Sequence, residues 1–312
     1  MSFINSLDRF LLFVALPAVI LSAFVEGLVL SWRGHFDWRA MGISLLDLVI
    51  RIAIQIFLPL TIAAPFIALA YQYRLSTIAV DSAMMVAMLF LGQEFCYYWY
   101  HRGAHRIRWF WCNHQIHHSS NELNLSAALR IGILGRLTGT AFFYLPLVYL
   151  GFPPKLVFQM LSLNLLYQFW IHATWIPKLG PLEYVLNTPS AHRVHHAANL
   201  DYLDANYGGV LIVFDRLFGT YRAERRQEPC RYGLVVPMKG YNWFRMEFRP
   251  WAQLFKDLRT ATHVGDLVGF IFRAPGWRPH GPSDRTEDLR ARAGRPSPNE
   301  GDSRFLTGTP SV

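Results

Sequence analysis

Cysteine, charge and nucleotide-binding fingerprints are all scarce in this 312-residue chain. Its three cysteines, Cys96, Cys112 and Cys230, have neither paired nor CxxC spacing. That excludes a disulfide framework and a cysteine-built zinc ribbon, and leaves free thiols as the expectation. No GxGxxG and no P-loop string is present, so the chain carries no flavin, nicotinamide or nucleotide fingerprint of its own. A cytochrome b5-like haem motif is missing as well. Charged residues make up 16% against 52% hydrophobic, the wrong balance for ordinary soluble domains of this length. The net charge of +9 would raise nucleic acid as a partner, but no nucleic-acid motif accompanies it. Basic residues beside apolar runs orient membrane helices and attract anionic headgroups, so no nucleic acid is expected.

What is present in quantity is apolar sequence, and it comes in runs: 10–30, 43–71, 78–98, 137–151 and 156–171. A bilayer span takes roughly 20 apolar residues, so the first three are candidates and the last two, joined at Gly151-Phe152-Pro153-Pro154, suit a short hairpin. The first run lacks a small-residue cleavage site and more apolar runs follow it, which argues against a removed signal peptide. The expectation is an all-α integral membrane protein with four to five membrane helices and a helical cap beside them. By segment, 1–77 reads as N-terminal membrane helices, 78–240 as the catalytic domain and 241–283 as an amphipathic interfacial segment. The stretch 284–312, rich in Pro, Gly, Arg and Ser, reads as a disordered tail.

Histidine is the other surplus. Nine of the twelve fall between 101 and 196: the HxxxH pair His101 and His105, the HxxHH run His114, His117 and His118, a single His172, and a second HxxHH run, His192, His195 and His196. On a helix, positions i, i+3 and i+4 share a face, so each run is expected to present its imidazoles together. Glu94, Tyr98, His101 and His105 form one such stripe. Imidazole suits Zn, Fe, Cu and Ni, and nine are too many for one ion; two ions with four or five ligands each would use them all. A lone histidine such as His35, His263 or His280 is an ordinary surface residue. If the chain leaves the membrane at His101 and again at His172, all nine lie on one face together with 26 of the 30 Lys and Arg, and the positive-inside rule makes that face cytoplasmic.

The stretches QEFCYYWYHRGAHRIRWFWCNHQIHHSSNELNLSAALR and NTPSAHRVHHAANLDYLDANYGGVLIVFDRLFGTY closely resemble the sterol desaturase branch of the fatty acid hydroxylase superfamily. The likeness covers roughly residues 85–240, and within the superfamily it is nearest to bacterial members and to ether-lipid monooxygenases. What the resemblance implies is a membrane-embedded di-iron centre that uses O₂ and external electrons to hydroxylate or desaturate a lipid. Its ligands would be His101, His105, His114, His117, His118, His172, His192, His195 and His196. It also implies a membrane lipid substrate (a sterol, ether lipid or aminolipid), a separate electron donor or tetrahydrobiopterin, and an inner-membrane or endoplasmic-reticulum location. Three positions depart from the family pattern: Ala191 where relatives carry an additional His, Asn121 where Glu is common, and Trp175 where the ether-lipid enzymes tend to have Glu.

Supporting residues follow from the habit of imidazole ligands to pass their second N–H to a carboxylate or carbonyl. Of the acids available, Glu94 and Asp204 are the first choices, then Glu122, Asp201 and Asp215, with Asn124 and Asn206 as hydrogen-bonding partners. Tyr98, Phe142, Phe143, Tyr167 and Phe169 are the expected substrate-lining aromatics. Gly208-Gly209 reads as a tight turn or a close approach. Two readings from another class compete: a bis-histidine haem protein for electron transfer, and a zinc-handling protein. The first has no need of two HxxHH runs in polar segments, and the second wants more intramembrane acids than Glu26, Asp47 and Asp81 supply.

Overall fold

The computed structural model describes residues 2–58 and 61–294. Helix α1 (Ser2–Phe10) passes through a π-helical turn at Leu11–Ala15 into α2 (Leu16–Trp32), and α3 (Trp38–Phe57) returns beside it. These two passes, Ser6–Trp32 and Trp38–Phe57, are the described helices long and apolar enough to cross a membrane. They expose Phe13, Leu21, Val49 and Phe57 outward, as a lipid-facing surface would. Between them Asp37 caps α3, its carboxylate accepting from the amides of Arg39 and Ala40 at 3.0 Å each. Two acids in these helices turn away from lipid. Glu26 accepts from Leu125 N at 2.6 Å and from Trp175 Nε1 at 2.8 Å, and Asp47 accepts from Ile131 N at 2.9 Å and Trp243 Nε1 at 3.2 Å. Each stitches a membrane helix to the segment that carries the histidines.

The apolar run 43–71 does not continue as one helix. It ends α3 at Phe57 and restarts as α4 (Ala64–Gln72), whose second residue is Pro65. The third run is displaced in register: Ser82 caps α5 (Ala83–Arg106), its hydroxyl accepting from Met85 N at 3.3 Å, and the helix runs past the apolar stretch to carry His101 and His105. The fourth run is mostly 3₁₀ turns, with only α7 (Leu145–Leu150) helical once α6 (Arg108–His114) has passed. Gly151, at φ 122°, then turns the chain into α8 (Pro154–Trp170), and a Cβ there would lie 2.2 Å from Ser76 O. Both α7 and α8 fall short of a full span, and among the described residues two helices qualify by length and hydropathy, beside the four to five expected.

After α8 come α9 (Pro189–His195), α10 (Val213–Leu217), α11 (Trp243–Leu258), α12 (Val264–Phe272) and α13 (Thr286–Arg292). Among the described residues there is no strand; the extended segments meet only in two isolated bridges, Leu186 with Leu211 and Ala197 with Tyr232. Helix α11 is capped by Asn242, which accepts from Arg245 N at 2.8 Å. Its buried side, Trp251 and Leu254, packs with Cys112 of α6 and Phe270 of α12. Burying a side chain such as Leu254 contributes roughly 1.5–3 kcal/mol.

The expected disordered tail needs correction over its first part. Residues 286–292 are helical, and the buried Arg290 donates to the carbonyls of Leu200 at 2.8 Å and Leu203 at 2.7 Å. Composition concealed this because the helix is held by polar contacts remote in sequence, Arg290 to those carbonyls and Glu287 to Arg106, not by an apolar face. The remainder of the expected tail, from residue 295 on, lies outside the described residues.

Candidate metal centre

The nine histidines converge, but not run by run. Nitrogens of His101, His105, His114, His118 and His195 lie within 4.8 Å of one another, and those of His117, His172, His192 and His196 form a second group by the same measure. Each HxxHH run is thus divided between the groups. The helical register expected across 114–118 fails because α6 ends at His114 and His117–Ser119 is a 3₁₀ turn, which swings His117 away from its neighbours. In the second run Thr188 caps α9, accepting from Ala191 N at 3.4 Å, with Pro189 preset for the first turn. His195 points to one group while His192 and His196, four apart, point to the other. The groups are adjacent: the rings of His118 and His196 stack with centroids 4.4 Å apart.

The outer nitrogens are held largely by backbone. Nδ1 of His101 donates to Tyr207 O at 2.8 Å, of His117 to Arg130 O at 3.0 Å, of His172 to Gln168 O at 2.7 Å and of His195 to Ala205 O at 2.9 Å. A carbonyl oxygen only accepts, so in these four the proton sits on Nδ1 and the inward Nε2 is a bare lone pair. Those inward nitrogens face one another. His117 Nε2 and His172 Nε2 are 3.3 Å apart, with His192 Nε2 3.1 Å from His172 and 3.1 Å from His196. In the other group His114 Nε2 lies 3.0 Å from His101 and 3.2 Å from His118, while the buried Nε2 atoms of His105 and His195 have no protein partner.

Two bare acceptors at 3.3 Å repel unless a cation lies between them. Neighbouring donors on an ion with bonds of about 2.1 Å would be about 3 Å apart, which is the spacing found, so the residues fit a metal. Protonation does not supply the cation. Burial, then the neighbouring imidazoles, pushes His101, His114, His118, His192 and His196 well below the ordinary histidine range. His195 is lowered likewise, and burial lowers His117 to about 4 and His172 to about 3.

Of the acids and amides expected to support the site, Asp204 alone reaches a ligand-candidate ring: its Oδ1 is 3.7 Å from His105 Nδ1, while Oδ2 accepts from Arg106 at 2.8 Å. Burial would raise that carboxyl, but the neighbouring His105 ring and the Arg106 charge hold it well below the usual range. Glu94 instead accepts from the amides of Val210 and Leu211, both at 2.8 Å, and from Asn164. Glu122 meets His35 and Asp37 N, Asn124 caps the turn at Ser126, and Asn206, at φ 58°, ties Ala191 O to the Arg222 backbone. The acid undervalued by the sequence reading is Asp215. Fully buried, it accepts from Tyr207 N and Gly208 N at 2.7 Å each and from Thr220 at 2.6 Å, fixing the turn whose Tyr207 carbonyl holds His101. The close approach expected at Gly208-Gly209 is there: a Cβ on Gly209 would lie 2.1 Å from Asn164 Nδ2.

A cavity of about 1180 Å³ reaches the five-histidine group at His105, His118 and His195. Its walls come from α6, α11, the segment 233–238 and the segment 274–280. None of the five aromatics expected to line a substrate path borders this cavity. Tyr98 is buried and hydrogen-bonded to Thr220, Phe142 packs on Phe66, Phe143 fills the space over Gly103, Tyr167 donates to Asn187 O, and Phe169 joins the apolar cluster under Leu125.

A sequence model of the Fatty acid hydroxylase family matches residues 86–220, the span that contains all nine histidines. Alkylglycerol monooxygenase of Homo sapiens is 43% identical over 211 residues, 68% of this chain and 46% of that protein. The Xenopus tropicalis protein of the same name is 39% identical over 219 residues, 70% of this chain and 48% of its own length. Ornithine lipid hydroxylase OlsE of Rhizobium tropici is 29% identical over 182 residues, 58% of this chain and 54% of that protein. The chain therefore spans about half the length of the curated relatives it matches. No solved structure matches it. With its histidine-bearing core inside the matched span, the chain belongs to the fatty acid hydroxylase superfamily.

Proposed function

We propose that the chain is an O₂-dependent di-iron hydroxylase of a membrane lipid, with its histidine face toward the cytoplasm. The observation that carries the reading is the pair His117 and His172, whose Nε2 lone pairs face each other at 3.3 Å with both Nδ1 protons given to carbonyls. His101, His105, His114, His118 and His195 would hold one iron, and His117, His172, His192 and His196 the other. When bound, iron there would supply the O₂ activation needed to oxidise an unactivated C–H bond, with two electrons from a separate donor or a diffusible reductant such as tetrahydrobiopterin. The chain's own contribution is preorganisation. Carbonyls of Tyr207, Arg130, Gln168 and Ala205 fix ring orientation and tautomer, and burial favours the neutral form of those four imidazoles. Asp204 adds a negative charge behind His105.

Hydroxylation is preferred to desaturation because the relatives are named as a monooxygenase and a hydroxylase. Sterols, ether lipids and aminolipids remain candidate substrate classes. Orientation rests on the Lys and Arg bias. The loop at 33–37 stands on the histidine side, since Tyr241 Oη donates to Asp37 at 2.6 Å and His35 lies 3.2 Å from Glu122.

The test is metal analysis and a visible spectrum of detergent-purified protein, followed by lipid profiling of cells with and without the gene. One metal per group without a haem Soret band, together with a lipid that gains one oxygen, is the expected result. A Soret band, or zinc that iron does not displace, would overturn the reading. His117→Ala and His195→Ala should each lose metal and turnover, one from each group.

A further inference from the structure

The cavity that touches His105, His118 and His195 is unevenly charged. Three acids stand in its wall, and each already has a cation: Asp204 has Arg106 at 2.8 Å, Asp257 has Arg108, and Asp284 has Arg292 at 2.7 Å. Arg245, Arg249 and Lys256 also line it, and none has an acidic partner among the described residues. All three stand on α11 at i, i+4 and i+11, and with Gln253 between they form one stripe along the cavity side of that helix. The opposite flank of α11 is different in kind. Phe244 and Phe255 are exposed there, roughly a third of a turn from the cations by the 100° step per residue. Elsewhere the lining is mixed: Leu234, Val236, Met238 and Trp277 add apolar surface, with Gln115, Arg278 and His280 among them.

We propose that this stripe recognises the phosphate of the substrate lipid, with Arg245, Arg249 and Lys256 holding the headgroup while the apolar part of the lining takes the chain toward the five-histidine group. The assignment rests on the lipid-hydroxylase reading and narrows it to a substrate class, an amphiphile with an anionic phosphate headgroup. Cations serving only to seat an interfacial helix on the bilayer have no need of a cavity, whereas all three of these line one. A soluble phosphate compound would share the anion chemistry but has no use for the apolar part of the lining, so the lipid is the occupant argued for.

The test uses the full chain in nanodiscs of zwitterionic phosphatidylcholine and compares binding of palmitoylglycerol phosphate, palmitoylglycerol and glycerol phosphate. The phosphate-bearing lipid should bind at least about tenfold more tightly than its neutral counterpart, with a preference that falls as salt rises. Arg245→Gln, Arg249→Gln and Lys256→Gln combined should erase that difference and leave palmitoylglycerol binding unchanged. All three positions are exposed, so folding is not at stake, and Arg259→Gln, an exposed position outside the cavity, is the control that should change nothing. Equal affinity for both lipids in the unaltered protein, a preference that survives the triple substitution, or glycerol phosphate competing as well as its acylated form would each overturn the proposal. Because binding is read without turnover, a protein that loads metal and oxidises lipid but shows no phosphate preference refutes this assignment alone. Phosphate preference in a protein that holds no iron would refute only the oxygenase reading.

Discussion

Asp215→Ala should weaken one metal group and spare the other. The carboxylate is wholly buried and accepts from two backbone amides, Tyr207 N and Gly208 N, that have no water to turn to. Leaving a buried N–H without an acceptor costs about 1–3 kcal/mol, so the pair sets a range of about 2–6 kcal/mol. Two facts favour the lower half. Thr220 keeps Tyr98 Oη as a partner at 3.0 Å, and burial raises the Asp215 carboxyl to about 6, so its removal also relieves a desolvation cost. A loss of about 2–3 kcal/mol is a large share of a typical domain's stability but leaves it folded. The loosened turn carries the Tyr207 carbonyl that orients His101, whereas His117 and His172 are held by Arg130 O and Gln168 O. Metal content should therefore fall from both groups filled to the four-histidine group alone, while the melting temperature in detergent drops by several degrees. Asp215→Asn, which keeps one acceptor, should fall between. A variant that melts with the parent and retains a full metal complement would refute the argument.

Other consequences can be checked alongside. Deleting residues 286–312 removes Arg290 from the carbonyls of Leu200 and Leu203, next to the Asp204 that backs His105. The truncated chain should lose both thermal stability and turnover, and unimpaired turnover would show α13 to be dispensable. Gly209→Ala drives a Cβ to within 2.1 Å of an Asn164 amide already tied to Glu94 and Gln168, so about 3 kcal/mol of destabilisation is expected from chemical denaturation. In chelator-treated protein, His117 and His172 titrate far below the roughly 6.5 of an unfolded histidine, at about 4 and about 3. Between those values the unfolded chain binds the extra protons, so stability should be full above pH 6.5 and fall as the pH drops, by about 3 kcal/mol from His117 alone at pH 4. Denaturation midpoints independent of pH from 7 to 4 would contradict this.

The number of histidines made a clustered imidazole site legible before any coordinates, because imidazole count is a property of composition. Their partition was not legible: the end of α6 at His114 and the 3₁₀ turn at His117–Ser119 depend on what the following loop packs against, not on helical periodicity. The ring-orienting groups were hidden for a different reason. Four of them are backbone carbonyls, which every residue possesses, so no side-chain pattern could single out Arg130, Gln168, Ala205 or Tyr207. Glu94 has the expected acceptor chemistry but a different neighbour. Its helical stripe points at His101, yet its oxygens reach across to Val210 and Leu211, more than a hundred residues on. Hydropathy found the N-terminal helices but not that Glu26 and Asp47 would face inward as anchors, since their partners at Leu125, Ile131, Trp175 and Trp243 are remote in sequence.

The split of both HxxHH runs between the two groups also dictates when the site can exist. During synthesis His101 leaves the ribosome 95 residues before His196, a gap of about 5–20 s at roughly 5–20 residues per second. Throughout that interval neither group is complete, because the five-histidine set waits for His195 and the four-histidine set for His192 and His196. The nascent chain thus offers only partial chelates to cellular metals. A full set of donors appears late, after the N-terminal helices have entered the bilayer, and α13 closes over the 200–203 loop later still. If the two groups hold metal as proposed, the choice of ion would come only once His196 has emerged, at a set of donors already complete.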